Sequence, residues 1–94
     1  MIVKHTFQVR AVCPINGDID QYECEVSLTT LVVCETLIAE AAEYKDRSLY
    51  QEQLTLELAE RWNATVRTKG THVGGEVATE CTAFPKSLVS VRGS

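Results

Sequence analysis

Cys13 and Asp20 are the residues whose types and spacing most suggest chemistry. The cysteine is followed by Pro14, and the aspartate stands beyond a turn-forming segment, Asn16-Gly17-Asp18. A thiolate is a nucleophile, and a carboxylic acid can protonate the group that the thiolate attacks. A small buried side chain beside a turn whose aspartates bond their own backbone gives the same pattern. Spacing alone favours this second interpretation.

The other potential metal ligands do not indicate a metal site. No two of the four cysteines form a Cys-x-x-Cys pair, and His5 and His72 are far apart in the chain. Zinc ribbons and zinc pterin enzymes need closer ligand sets, so we predict that the chain binds no metal. The three other cysteines stand at apolar positions of the predicted elements and are expected in the core: Cys24, Cys34 and Cys81.

Four segments alternate apolar and polar residues, as strands do when only one side is buried. These strands are predicted at about 4–12, 21–28, 64–68 and 73–81. The last two are expected to turn at Lys69-Gly70-Thr71. The outward face would then carry more charge than a sheet exterior needs, from Gln8, Arg10, Glu23, Glu25, Arg67, Glu76 and Glu80.

Helical spacing of the apolar residues separates the two pairs of strands. It predicts a first helix over about 31–45, and a second that begins at a capping box, Ser48-x-x-Gln51, and ends near Asn63. The apolar positions of the first helix are Cys34, Leu37, Ile38, Ala41 and Ala42. Those of the second helix are Tyr50, Leu54, Leu58 and Trp62.

The predicted order β-β-α-α-β-β indicates an α+β fold in which an antiparallel sheet carries two helices on one face. Ninety-four residues suffice for one domain, 1–94, with a core over about 4–82 and a C-terminal tail over 83–94. A domain of this size is marginally stable alone, and its sheet has two open edges. We therefore expect the chain to self-associate.

Charge and hydropathy narrow the class of protein further. The net charge of −4 is opposite in sign to that of most nucleic-acid-binding domains, so such a contact would need a local patch or a band of cations formed on assembly. The longest apolar run, 31–34, is too short to cross a membrane, and the N-terminus has no signal-peptide pattern. We expect a cytoplasmic protein with no membrane partner.

The segment 12–20, Val-Cys-Pro-Ile-Asn-Gly-Asp-Ile-Asp, resembles the motif Cys-Pro-(Val/Ile)-x-x-x-x-Asp of the QueF-type enzymes. The order of elements is also that of the tunnelling fold, which these enzymes share with GTP cyclohydrolase and pyruvoyltetrahydropterin synthase. The resemblance covers roughly residues 6–81. It implies that Cys13 adds to the nitrile of 7-cyano-7-deazaguanine, that Asp20 protonates the nitrogen, and that a covalent thioimide results.

Tyr50-Gln51-Glu52 resembles the Phe/Leu-His-Glu sequence that opens the second helix in the same family. The resemblance implies that Glu52 accepts two N–H bonds from the guanine-like edge of the base. An acid that is merely stabilised by the helix dipole is the alternative. Gln51 stands where the family has histidine, so a proton shuttle or substrate contact is lost or moved, and His72 or His5 is a candidate replacement.

The stretch 34–40 separates two branches of this family. The reductases resemble one another there in Glu-Ser-Lys-Ser-Leu-Lys, which handles NADPH, whereas this chain keeps an acid, Glu35, and has no lysine. An anionic dinucleotide would find no cation at that point. The chain resembles instead the QueF-like archaeosine synthases, which add ammonia to the thioimide of a base in tRNA. Residues 70–77 resemble their last-strand region.

The resemblance implies an archaeosine synthase-like amidinotransferase that uses no cofactor and assembles into a ring with its pocket between subunits. The catalytic residues would be Cys13 and Asp20, and the substrate-binding residues Glu52, Glu35, Gln51 and His72. Its partners would be an ammonia donor and 7-cyano-7-deazaguanine, either free or in tRNA or DNA. Two alternatives stay open: an NADPH-dependent reductase of the same nitrile, and a non-catalytic purine- or pterin-binding protein of the same fold.

Overall fold

A computed structural model describes residues 1–85 of the chain, in which four strands and two helices follow the order predicted from the sequence. The elements are β1 (Val3–Val12), β2 (Ile19–Leu28), α1 (Cys34–Ala42), α2 (Gln51–Trp62), β3 (Thr65–His72) and β4 (Val77–Ala83). The α+β class is therefore confirmed. The predicted tail, 83–94, lies outside the described residues from residue 86 onward.

The strands form one antiparallel sheet in the order β1-β2-β3-β4. The helices separate β2 from β3 in the sequence, yet these two strands pair directly, with Val26 opposite Val66. The predicted inward face of β2 is confirmed, because Tyr22, Cys24 and Val26 are fully buried. The helices cover this face of the sheet, as the one-sided alternation of the strands requires.

Helix α2 provides most of the cover. Its Leu54 and Leu58 are fully buried as predicted, and each contributes about 1.5–3 kcal/mol by leaving water. Trp62 is half-buried and packs against the core, whereas Tyr50 is 48% exposed, so the predicted stripe is wrong at Tyr50. Three residues on the neighbouring stripe are also buried, and two of them are polar: Gln51, Thr55 and Ala59.

Helix α1 is shorter than predicted, and two of its apolar positions lie in the core: Leu37 and Ala41. The helix packs against the edge strand β1, so only a narrow stripe of its surface is covered. The prediction that Cys34 is a core residue is wrong, since its side chain is exposed with its Sγ 3.9 Å from Nδ1 of His5. Neither helix of residues 1–85 has the length and hydropathy to span a membrane.

The start of α2 also differs from the prediction, because Ser48 does not cap it. Ser48 forms a parallel bridge with Val12, and the flanking bonds join Val12 N–H to the carbonyl of Arg47 and Leu49 N–H to that of Val12. These bonds hold the chain extended until Tyr50. The side-chain oxygen of Gln53 then accepts from the Tyr50 N–H at 3.0 Å.

The turn between β3 and β4 lies at 73–76 instead of the predicted 69–71. Gly70 suggested a turn, but it lies within β3. Glycine is needed at this point of the strand because a Cβ would overlap the ring of Tyr22. The turn is made by Val73, Gly74 and Gly75, whose φ angles are 55°, 63° and 90°. Glu76 consequently lies in this turn instead of on the outward face of the sheet, which corrects its predicted position.

Candidate active site

The β1–β2 connection positions Cys13 and Asp20. Cys13 directly follows β1, its N–H donates to the carbonyl of Asp18 at 2.7 Å, and its carbonyl accepts from Gly17 at 2.9 Å. Gly17 has a φ of 78°, which glycine adopts without a steric cost. The hairpin register places Asp20 opposite Ala11, so the aspartate lies beside the end of the strand that carries the cysteine.

The bridge between Val12 and Ser48 brings the first turn of α2 to the same place. Residues from the hairpin, from α2 and from β3 together line a cavity of about 250 Å³. Five of the six predicted site residues contribute to it: Cys13, Asp20, Gln51, Glu52 and His72. The structure does not bring Glu35 to this cavity, since Glu35 lies exposed in the first turn of α1. His5 lies apart from it, beside Cys34.

A second cleft, of about 610 Å³, adjoins the first and shares Cys13, Asp20 and His72 with it. Its other walls are the two turns, at 15–19 and 73–75. The cysteine, the aspartate and the histidine therefore face a space wider than the first cavity alone.

Tyr22 lines the cavity, although the sequence predicts it only as a core residue. Its hydroxyl donates to Oδ2 of Asp20 at 3.2 Å and lines the cavity. Burial, followed by the neighbouring charge of Asp20, raises the pKa of Tyr22 well above its ordinary value, so the hydroxyl stays a donor. The sequence does contain a signal for this contact, because Asp20 and Tyr22 are two residues apart and such residues share a face of a strand.

Gln51 anchors the other side of the cavity. Its side chain is 1% exposed and hydrogen-bonds to Thr68 and to the carbonyl of Thr79, which lie on the neighbouring strands β3 and β4. Its Oε1 lies 2.7 Å from Nε2 of His72. The sequence predicts that both residues contact the substrate; in the structure they contact each other.

The assembled groups suit nucleophilic addition followed by proton transfer. Cys13 supplies a half-buried thiol, Asp20 a carboxyl group that Tyr22 orients, and Glu52 an exposed carboxylate at a helix N-terminus. The remaining cysteines are outside the cavity, and burial raises the pKa of Cys24 to about 12. Within residues 1–85, no group of three or more His, Cys, Asp or Glu side chains is placed to hold a metal ion.

Comparisons with known proteins bear on the fold. No protein-family model matches the chain, and no curated protein matches it. Among solved structures, the chain is similar to the crystal structure of the archaeosine synthase QueF-Like in the apo form. The two are 24% identical, the similarity covers 87% of this chain and 90% of the other, and the TM-score is 0.78. The chain therefore has the QueF-like tunnelling fold, as its order of elements predicts.

Proposed function

We propose that this protein is a QueF-like amidinotransferase that converts the nitrile of 7-cyano-7-deazaguanine to an amidine. The observation that supports this most directly is the cavity in which Cys13, Asp20 and Glu52 meet from separate parts of the chain. The fold is similar to that of an archaeosine synthase, and the sequence resemblance implies catalytic and binding roles for these three residues.

The proposed reaction has two steps that need no electron donor. The thiol of Cys13 gives its proton to the carboxylate of Asp20, Sγ bonds to the nitrile carbon as one carbon–nitrogen π bond breaks, and the nitrogen takes that proton from Asp20, which leaves a thioimide. Ammonia then bonds to the same carbon, the carbon–sulfur bond breaks, and Sγ takes the proton that the ammonia nitrogen loses, which restores the thiol. The product is an amidine, and no atom changes its oxidation state overall, so we propose that the enzyme needs no cofactor.

Glu52 is proposed to orient the base. Its side chain is exposed and lines the cavity in the first turn of α2, at the positive end of the helix dipole. A charged carboxylate accepts two parallel N–H bonds from a guanine-like edge, and such charge-assisted pairs are about twice as strong as neutral ones. The dipole therefore supports the binding role.

A basic groove supports a nucleic-acid substrate. Among the lysines and arginines of residues 1–85, five form ion pairs with carboxylates: Lys4, Arg47, Arg61, Arg67 and Lys69. Arg10 and Lys45, the two without an ion pair in this part of the chain, line one groove of about 350 Å³ with Ile38 between β1 and α1. We propose that the groove contacts the phosphates of a tRNA that carries the base.

The proposed function is tested by the intact mass of the protein after incubation with free 7-cyano-7-deazaguanine. Wild type should gain the mass of the base, and Cys13→Ala should not. Cys34→Ala is the matched control, because this variant removes an exposed thiol outside the cavity and should still form the adduct. Ammonium should then release the adduct as the amidine.

Two outcomes would contradict the proposal. Binding without an adduct, both for the free base and for a tRNA that carries it, would indicate the non-catalytic protein. Consumption of NADPH with release of 7-aminomethyl-7-deazaguanine would indicate the reductase.

A further inference from the structure

Three buried polar side chains belong to one hydrogen-bonded network. They are Gln51, Thr55 and Thr68, each at most 1% exposed. The Thr55 hydroxyl donates to the carbonyl of Gln51 at 2.7 Å and accepts from the Thr68 hydroxyl, also at 2.7 Å. Burying polar groups is costly unless they are paired, so this network has a defined arrangement of donors and acceptors.

The network fixes the orientation of the Gln51 amide. Its Nε2 lies 3.2 Å from the carbonyl oxygen of Thr68 and 3.0 Å from that of Thr79. Carbonyl oxygens only accept hydrogen bonds, so the NH₂ group must face them. The opposite orientation would place Oε1 against two oxygens. The Oε1 atom therefore faces His72.

The orientation of Gln51 in turn determines the tautomer of His72. Oε1 is an acceptor only, so the Nε2 of His72, 2.7 Å away, must carry the hydrogen. In the neutral ring the lone pair is then on Nδ1. Within residues 1–85 the structure gives Nδ1 no hydrogen-bond partner, and the ring lines both clefts that Cys13 and Asp20 line.

We propose that His72 is the general base of the ammonia step and that Gln51 is the residue that positions it. This inference rests on the proposed function. As the carbon–nitrogen bond forms, Nδ1 takes the proton that the ammonia nitrogen loses. As the carbon–sulfur bond breaks, the same proton passes to Sγ of Cys13, so the ring returns to its neutral state. The imidazole is thus supplied by the end of β3, while α2 supplies the amide that holds it.

The variant that isolates this role is His72→Gln. A glutamine amide can replace the Nε2–H donor toward Gln51 but cannot act as a base, so a purely structural role would survive the change. We expect the thioimide to form with free 7-cyano-7-deazaguanine, and its conversion by ammonia to slow by about 10²- to 10⁴-fold. Hydroxylamine, which is a stronger nucleophile and is largely unprotonated at neutral pH, should release the adduct with a much smaller loss.

Two further variants complete the test. His5→Ala changes the other histidine, which lies beside Cys34 away from the cavity, and should react as wild type does. Gln51→Met keeps a long side chain without the acceptor, and should slow the ammonia step by about 10-fold or more, as loss of tautomer-fixing partners does elsewhere. Circular dichroism of each variant verifies that it is folded.

The outcomes separate this inference from the proposed function. If wild type forms no adduct with the free base or with a tRNA that carries it, the proposed function is wrong. If wild type forms the adduct and His72→Gln converts it with ammonia at the wild-type rate, the proposed function stands and His72 is not the base. Equal losses with ammonia and with hydroxylamine would also overturn the inference, because a general base matters most for the nucleophile that must lose a proton.

Discussion

The hydrogen bond between Tyr22 and Asp20 connects a core residue to the proposed proton donor. The ring of Tyr22 is fully buried against Gly70, and its hydroxyl reaches the carboxyl group at 3.2 Å. Burial keeps the hydroxyl protonated, so it can hold the carboxyl group of Asp20 in one orientation whichever protonation state the reaction has reached. A packing residue therefore has a second role in orienting the proposed proton donor.

Tyr22→Phe should separate these two roles. The ring keeps its packing, so the melting temperature should change little. The rate of adduct formation should fall by up to about 10-fold, which corresponds to about 1.4 kcal/mol, the upper end of the net contribution of one neutral hydrogen bond. Stopped-flow measurement of adduct formation checks this. Tyr44→Phe, in a buried tyrosine that does not line the cavity, is the control. An unchanged rate in Tyr22→Phe would show that Asp20 needs no such partner.

Cys24 gives a prediction about stability that involves no activity. Its side chain is fully buried, and burial raises the pKa of the thiol from 9.0 to about 12. Above pH 9 the unfolded chain loses this proton while the folded chain keeps it. The free energy of unfolding should therefore fall by about 1.4 kcal/mol per pH unit between these two values, from this residue alone.

Urea unfolding across this pH range measures the effect of Cys24. Cys24→Val removes the titrating group and should give a flatter dependence on pH, whereas Cys34→Val, at an exposed position, should leave the slope unchanged. Parallel slopes in wild type and Cys24→Val would contradict the prediction.

At the scale of elements, the alternation of apolar residues correctly predicted the four strands and their order, while local turn signals were less reliable. Gly70 suggested a turn because glycine is common in turns. Its role is instead to leave room for the ring of Tyr22, which lies on a strand that is distant in the sequence. Ser48 suggested a helix cap, but it pairs with Val12. Both errors arise because long-range contacts override local preferences.

The same distinction explains how much of the candidate site could be predicted. Cys13, Asp20 and Glu52 stand in short sequence motifs, and the structure brings all three to one cavity. The contact between Gln51 and His72 joins a helix to the end of a strand 21 residues later, so no local spacing predicts it. Tyr22 was predicted to be buried, but its hydrogen bond depends on the orientation of its side chain.

Gly70→Ala tests the packing of β3 against β2. The added methyl group would overlap the Tyr22 ring, so the free energy of unfolding should fall by about 1–3 kcal/mol, which is typical of overpacking. Adduct formation should slow as well, because Tyr22 carries the bond to Asp20. Gly17→Ala is the control for the clash, because its added methyl group meets open space and any loss of stability there comes from the strained φ of 78°. Chemical unfolding of both variants checks the prediction, which fails if Gly70→Ala is as stable as wild type.

At the scale of the whole molecule, the acidic charge of the chain must be reconciled with a polyanionic substrate. The net charge is −4, and carboxylates neutralise five of the cations of residues 1–85. The groove with Arg10 and Lys45 is what remains for phosphates in this part of the chain. Apart from the bridge between Val12 and Ser48, β1 and β4 each have one edge that pairs with no other strand of residues 1–85. A ring of subunits joined at these edges would repeat the groove once per subunit.

The double variant Arg10→Gln and Lys45→Gln should therefore weaken binding of tRNA without changing adduct formation on the free base. Each lost phosphate contact lowers the slope of log affinity against log salt by about 0.7–0.9, so the slope should fall by about 1.4–1.8 per subunit engaged. Binding assays over a series of salt concentrations measure this slope. The matched control changes two ion-paired cations, Lys4→Gln and Arg47→Gln, and should have a smaller effect. If both double variants weaken tRNA binding equally, the contact is a general effect of net charge; if neither does, the RNA binds elsewhere on the protein.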